Sequence, residues 1–331
     1  MVYKTSKKGL TYPDQCLFFK DEEPYQDLYA QVRQDVLHRL DKTFKMFFHR
    51  TKKGGAGYPR YKSLDRYDSF TYPQYPNHGF KLQSNKLHLS RIGHIKINLH
   101  RPIEGKIKTL TIKRQCGKWY ALFSCDVESK PLPPNSNEIG IDLGLMSFIA
   151  TSRGEVVKNP RHFKKSEKKL KTIQQSLSKK KRGSKRRYKT KIQLRKAHEK
   201  IRNQRNDFQH KLARRIINEN GTIAIEDLNT KQMIENGTTT LSKSIVETAW
   251  QSFVAKLIYK AEEAGRIVVK VNPKHTSQIC LCGAKVPKDL TIRKHTCKKC
   301  GLVEDRDIVS AKIILQRARV EPLKKLQEVL V

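Results

Sequence analysis

The chain has 331 residues and carries 69 Lys and Arg against 31 Asp and Glu, a formal net charge of +38. With 37% hydrophobic residues it is too apolar for a disordered tail, and its length predicts two or three domains. No stretch reaches the ~20 apolar residues of a membrane span, and the opening MVYKTSKKGL lacks the apolar core of a signal peptide, so a cytoplasmic protein without membrane contact is expected. Charge of this size makes a folded chain repel itself. A polyanionic partner relieves that repulsion; the alternative is a merely basic solubility surface.

In residues 1–50, Leu28, Val32, Val36, Leu40, Phe44 and Phe47 recur at spacings of three and four, predicting an amphipathic helix after a short leader. Gly54-Gly55-Ala56-Gly57 ends it. In the next segment, Tyr58, Tyr61, Tyr67, Phe70, Tyr72 and Tyr75 interleave with Arg60, Lys62 and Arg66, a pattern suited to stacking on bases while gripping phosphates. A Tyr-rich loop packed on its own domain fits the same pattern. From Lys86 to Val127 the period drops to two, predicting a small antiparallel sheet or barrel, and Lys130–Asn137, with three prolines, reads as a linker.

The second half opens with one apolar strand, Glu138–Ala150, holding Asp142. Between Lys158 and Arg215 stand 24 Lys and Arg against three acids, over half of the chain's excess charge. Two helical stripes run through this stretch, Leu170/Ile173/Leu177 and Leu194/Ile201/Phe208/Leu212/Ile216, with a turn at Lys181-Arg182-Gly183-Ser184. The reading is a basic helical hairpin that grips a nucleic-acid backbone. Further on, Thr222–Leu228 and Ile267–Val271 read as buried strands, Ser242–Gly265 as one helix capped by Ser242, and Asp307–Ala318 as a last helix.

Cys280, Cys282, Cys297 and Cys300 form two close pairs separated by a 14-residue loop, the pattern of a structural zinc ribbon. Gly283 and Gly301 follow the second cysteine of each pair, where a tight knuckle needs a permissive backbone. The Cys280–Cys282 gap is one residue short, so His295 or His275 stands as an alternative ligand; buried free thiols are the other alternative.

Asp142 and Glu226 lie in apolar strands, and Asp307 begins a helix after the cysteine loop. Buried carboxylates are costly unless their charge is compensated, and divalent cations seek such oxygen ligands. Two such ions held this way can activate water and stabilise the leaving oxygen in phosphodiester hydrolysis. The alternative is strand-end acids capping neighbouring helices.

Ile139-Gly140-Ile141-Asp142-Leu143-Gly144-Leu145, Ala224-Ile225-Glu226-Asp227-Leu228-Asn229, the Trp250…Tyr259-Lys260-Ala261-Glu262 helix, Thr276-Ser277-Gln278 and Asp305-Arg306-Asp307 together resemble the TnpB/OrfB family. These are transposon-associated, RNA-guided DNA endonucleases related to type V CRISPR effectors. The resemblance extends to Arg60–Asp68, Gly105–Lys113 and the basic hairpin, nearly the whole chain.

It implies an α+β multidomain fold. A helical recognition segment would occupy 1–57, a β-barrel wedge domain 58–130, a linker 131–137, and an RNase H-like (RuvC) nuclease domain 138–331, with the hairpin at 163–220 and an inserted zinc ribbon at 276–302. It implies Asp142, Glu226 and Asp307 as catalytic ligands of two Mg²⁺, with Asp307 preferred to Asp305 because it stands just before the final helix. One Zn²⁺ would sit on Cys280, Cys282, Cys297 and Cys300. The partners implied are a guide RNA from the transposon end and a double-stranded DNA target. The nominated nucleic-acid contacts are Arg60, Lys62, Arg66, Tyr67, Lys164, Lys165, Lys181, Arg182, Lys185, Arg186, Arg187, Arg202 and Arg205.

Three features depart from the family pattern. Val309 stands where Asn is usual, with Ser310 in place of Ala; the first cysteine knuckle is short; and the family's opening strand and helix have no counterpart, which reads as a shortened amino terminus. The expected function is an RNA-guided, metal-dependent DNA endonuclease. A guided binder with weak or no cleavage, or a transposase that joins strands, stand as alternatives.

Overall fold

The computed structural model describes residues 11–20, 25–55, 57–63, 66–74, 79–289, 292–320 and 324–325. Tyr75, in the aromatic segment, and the leader residues 1–10 lie outside them. The chain divides into two units, residues 1–128 and 129–331.

In the first unit, Thr11 and Asp14 form a reciprocal capping box that starts α1 (Tyr12–Phe18), a helix absent from the sequence reading. The amphipathic helix is α2 (Ala30–Thr51), but of its stripe only Val32 is buried. Arg39 ties α2 to the sheet, donating to the Ser69 carbonyl at 3.0 Å and the Thr71 hydroxyl at 2.6 Å. The strands are β1 (Ser69–Tyr72), β2 (Phe80–Gln83), β3 (Lys86–Leu89), β4 (Gly93–Lys96), β5 (Lys106–Gln115) and β6 (Lys118–Asp126). They pair antiparallel as two three-stranded sheets, β1-β5-β6 and β2-β3-β4. One core joins them, with Tyr72, Phe80, Leu87, Leu89, Leu110 and Ile112 packed around Val32.

The second unit holds a mixed sheet in the order β14-β11-β10-β7-β8-β9. Its strands are β7 (Glu138–Leu143), β8 (Ser147–Thr151), β9 (Val156–Lys158), β10 (Thr222–Glu226), β11 (Ile267–Val271) and β14 (Lys324–Lys325). Strands β7, β10 and β11 are parallel; β8 pairs antiparallel with β7, and β9 antiparallel with β8. The single strand expected over Glu138–Ala150 is thus a hairpin, turning at Gly144–Met146. Both arms are almost wholly buried, so an unbroken apolar run hid the turn.

Helices α3 (His162–Ser178) and α4 (Lys185–Glu219) form the basic hairpin. Ser184 caps α4, accepting from the Arg187 N–H at 3.2 Å. At 35 residues, α4 is about 52 Å long, and its last turns enter the core through Leu212, Ala213, Ile216 and Ile217.

After α5 (Thr230–Glu235), the helix expected over Ser242–Gly265 is two: α6 (Thr239–Thr248) and α7 (Trp250–Glu263). The cap is Thr238, while the Ser242 hydroxyl donates to the Ile234 carbonyl. The break lies at Ala249, which is left-handed at φ +53°. Buried Gln209 donates its amide to the carbonyls of Thr248 (3.1 Å) and Ala249 (3.3 Å) on either side of the break, the latter also accepting the Ser252 and Phe253 N–H groups. A side chain forty residues away therefore stabilises a break that no local residue announces.

Nor is the proline-rich segment a free tether. Leu132 donates its N–H to Ala264, Arg266 donates to the Pro133 carbonyl at 2.8 Å, and Asn135 and Asn137 both donate to Glu219, fastening it to the second unit.

Two faces of the sheet are covered. Ile139, Ile141, Leu143, Ile223 and Ile225 pack with α4 and α7, whereas Ala224, Val269 and Val271 meet Ile314 of α8 (Arg306–Val320). Between β11 and α8 lies the cysteine-bearing insert, with the hairpin β12 (Lys294–Thr296) and β13 (Val303–Asp305).

Candidate functional site

Alternation along the strands builds the site. Ile139, Ile141 and Leu143 face one side of the sheet, so Gly140 and Asp142 face the other. The same logic sets Ala224 and Glu226 on that second side. Ile141 pairs with Ile225 in the parallel ladder, so Asp142 and Glu226 follow side by side at the carboxyl ends of neighbouring strands. Helix α8 crosses this face. Its close approach depends on Gly140, where a Cβ would lie 2.1 Å from the Ala311 carbonyl oxygen.

The first turn of α8 brings in the third acid. Asp305 is spent as its cap, accepting the N–H groups of Asp307 at 2.8 Å and Ile308 at 3.4 Å. Asp307 is left to enter a cleft that Asp142 and Glu226 also line.

Burial, and then the neighbouring charges of Glu226 and Asp307, push the Asp142 carboxyl well above its ordinary range. Glu226 is raised by burial, offset in part by the Thr276 hydroxyl that donates to it. Asp307 meets Arg293 at 3.4 Å and Arg306 at 3.5 Å. Three acids thus share one cleft with only partial compensation, a donor set suited to a hard, oxygen-seeking cation.

Sequence reasoning missed the hydroxyls here. Ser310 donates to Asp142 at 3.3 Å, and Ser147 donates to Asp307 at 3.4 Å. Thr276 lay within the quoted Thr-Ser-Gln motif and Ser310 stood out only as a departure from the family's Ala; nothing local marked Ser147.

The four cysteine sulfurs all lie within 4.8 Å of one another, with Cys280–Cys300 at 3.5 Å and Cys282–Cys297 at 3.7 Å. A tetrahedron of ~2.3 Å Zn–S bonds has edges of ~3.8 Å. The short knuckle closes through a Gly283 N–H to Cys280 carbonyl bond, the longer one through Gly301 to Cys297. The backbone N–H of Cys300 helps hold the Cys297 thiol down at about 6, favouring the metal-binding thiolate. His275 instead contacts Gln278, and His295 is buried against Lys288. The four sulfurs could hold a metal without either.

The nominated basic residues divide. Lys164 lines the carboxylate cleft. Lys165, Lys181, Arg182, Lys185 and Arg186 are exposed, as is Arg202 beside Glu199. Arg187 instead donates to the Lys180 carbonyl at 3.0 Å, and Arg205 to the carbonyls of Val246 and Glu247, so both hold helix ends together.

In the first unit Arg60, Arg66 and Tyr61 are exposed, and Lys62 sits over the Tyr67 ring at 5.0 Å. Tyr58 packs on Phe44 and Phe47, and Tyr72 is core, bonded to the Ser90 carbonyl. The aromatic segment is therefore part packing and part free surface.

Two family models match the chain. OrfB_IS605, described as "Probable transposase", spans residues 122–237 and so takes in Asp142 and Glu226. The Cas12f1-like TNB domain spans 250–314, with the four cysteines and Asp307. A protein of Streptomyces pristinaespiralis, described as a candidate RNA-guided DNA endonuclease, is 34% identical over 291 residues, covering 85% of this chain and 70% of its own. The chain belongs to the TnpB family.

InsQ of Escherichia coli (strain K12), with the same description, is 30% identical to this TnpB-family chain over 88% of it and 75% of InsQ. A cryo-EM structure of a Cas12f1–sgRNA–target DNA complex aligns over 95% of the TnpB-family chain and 87% of its own, at a TM-score of 0.39 and 16% identity. Among the described residues no helix is long and apolar enough to cross a membrane.

Proposed function

We propose that this chain is an RNA-guided, metal-dependent DNA endonuclease of transposon origin, cutting at a RuvC-like site formed by Asp142, Glu226 and Asp307. The observation that carries the reading is that these three acids, from β7, β10 and α8, line one cleft. Three strands paired antiparallel (β7, β8 and β9), followed by β10 and β11 parallel to β7, with acids at the carboxyl ends of β7 and β10, support the RNase H-like assignment.

Asp142, Glu226 and Asp307 would hold Mg²⁺, which supplies an activated water and charge stabilisation for phosphodiester hydrolysis. The chain's own residues do the rest. Burial keeps bulk water from screening the acids. Lys164, Arg293 and Arg306 draw the scissile phosphate to the cleft. The exposed cations of the α3–α4 turn grip the backbone of a guide RNA or its heteroduplex, leaving sequence to base pairing. The two sheets of the first unit would serve as the wedge, with Arg60, Arg66 and Tyr61 available to nucleic acid. Cys280, Cys282, Cys297 and Cys300 would hold one structural Zn²⁺, fixing the insert that precedes Asp307.

The word transposase in the matching family description favours a second reading, strand transfer by the same acids. One assay separates the two. The protein, purified with its transposon-end transcript, is incubated with Mg²⁺ and a guide-matched plasmid library carrying randomised flanking bases. Linear product with an enriched flanking motif supports the nuclease; joined products support the transposase; RNA binding without either leaves a guided binder.

A further inference from the structure

A serine or threonine inside a helix commonly donates its hydroxyl to the carbonyl one turn back. Thr172, Thr190, Ser244 and Thr248 do so here, to Lys168, Arg186, Thr240 and Ser244. Ser310 behaves differently. It is 2% exposed, and its Oγ donates across the helix–sheet interface to Asp142 Oδ1 at 3.3 Å. Its neighbour Val309 is buried at 1% exposure and has no donor to offer.

The other two acids have counterparts. Ser147, on β8, donates to Asp307 Oδ2, and Thr276 donates to Glu226 Oε1. Each carboxylate therefore receives one hydroxyl from a separate element. A hydroxyl pins one carboxylate oxygen without cancelling its charge, as a lysine or arginine would. At Asp142 the other oxygen keeps its lone pairs for a cation, whereas Asp307 also meets Arg293 and Arg306.

We propose that Ser310 is a positioning residue, orienting the Asp142 carboxylate for cation binding in place of any side-chain donor at position 309. This rests on the assignment of Asp142, Glu226 and Asp307 as cation ligands. Gly140 is part of the same device, because only a residue without a Cβ lets α8 lie close enough for Ser310 to reach β7.

The test is Mn²⁺ binding, followed by electron paramagnetic resonance, to the full-length, zinc-loaded chain without nucleic acid. The variants are Ser310→Ala, Ser310→Thr and Asp142→Ala. Ser310→Ala is expected to weaken Mn²⁺ binding about tenfold, the scale of a lost outer-shell partner. Ser310→Thr, which keeps the hydroxyl, is expected to restore binding to within about threefold. Undiminished Mn²⁺ binding by Ser310→Ala, with binding lost in Asp142→Ala, overturns the positioning role and leaves the carboxylate site intact. Failure of Ser310→Thr to restore binding also overturns it, since packing would then explain the loss. If Asp142→Ala binds Mn²⁺ like the wild type, the carboxylate assignment itself fails.

Discussion

Gly140 of β7 and Ala311 of α8 are in direct backbone contact: a Cβ on Gly140 would stand 2.1 Å from the Ala311 carbonyl oxygen and 2.9 Å from the Leu315 nitrogen. This contact sets the distance at which Asp307 and Ser310 meet Asp142. Neither backbone group can rotate away as a side chain could. Gly140→Ala is therefore expected to cost about 3 kcal/mol or more through overpacking, read as a lower midpoint in denaturant melts. A melt equal to the wild type would show that α8 can withdraw freely.

Burial makes the charged form of the Asp142 carboxyl costly to the folded chain. Its pKa in the folded chain lies well above the ordinary 3.8, through burial and then through Glu226 and Asp307. As pH falls from neutral, the folded state takes up this proton before the unfolded state does. Without added Mg²⁺, the contribution of Asp142 to stability therefore rises as pH is lowered through that window, and levels off below about 3.8. Asp142→Asn is expected to raise the melting temperature at pH 7.5 and to flatten this dependence, as followed by thermal melts across pH.

The break at Ala249 depends on a buried network. Lys256, 8% exposed, donates to Gln209 Oε1 at 3.1 Å and to the Ser252 hydroxyl at 2.7 Å, while the Gln209 amide holds the carbonyls of Thr248 and Ala249. Gln209→Leu strips a partner from a buried ammonium and two from the carbonyls, at an expected cost of about 2–4 kcal/mol. Combined with Lys256→Met it is expected to cost less than the sum of the single changes by at least about 1 kcal/mol in a double-mutant cycle.

Arg186 and Arg187 are adjacent but differ in role. Arg186 is exposed, whereas Arg187 donates to the Leu177 carbonyl at the end of α3. Arg186→Ala is expected to lower the slope of log K against log salt for RNA binding by up to about 0.7–0.9, with an unchanged melt. Arg187→Ala is expected to lower the melting temperature. Filter binding at several salt concentrations, beside thermal melts, checks both.

Local patterns in the sequence exposed much of this molecule. Asp142 and Glu226 stood out because charge interrupts apolar runs, the cysteines because of their spacing, and the hairpin turn because Gly183-Ser184 separates two helical stripes. What stayed hidden was set by partners distant in sequence. Ala249 carries no breaker signal, since Gln209 supplies the reason for the break. Ser147 looks like an ordinary polar residue, and Ser310 like a mere departure from the family's Ala, until α8 is laid on the sheet. Arg187 and Arg205 look like surface charge until their carbonyl partners are seen. The turn inside Glu138–Ala150 disappeared because both arms are buried, which erases alternation. In the first unit, Tyr72 belonged to a core strand rather than to the exposed aromatic surface.

The most direct measurement of the central claim is cleavage of a guide-matched plasmid in Mg²⁺ by the wild-type ribonucleoprotein and by the Asp142→Ala, Glu226→Gln and Asp307→Ala forms, each checked for bound RNA. The account predicts linear product from the wild type and a loss of at least about a thousandfold in each variant, with RNA retained, since each removes a ligand of the reacting centre. Wild-type cutting rates in any of the three would contradict it.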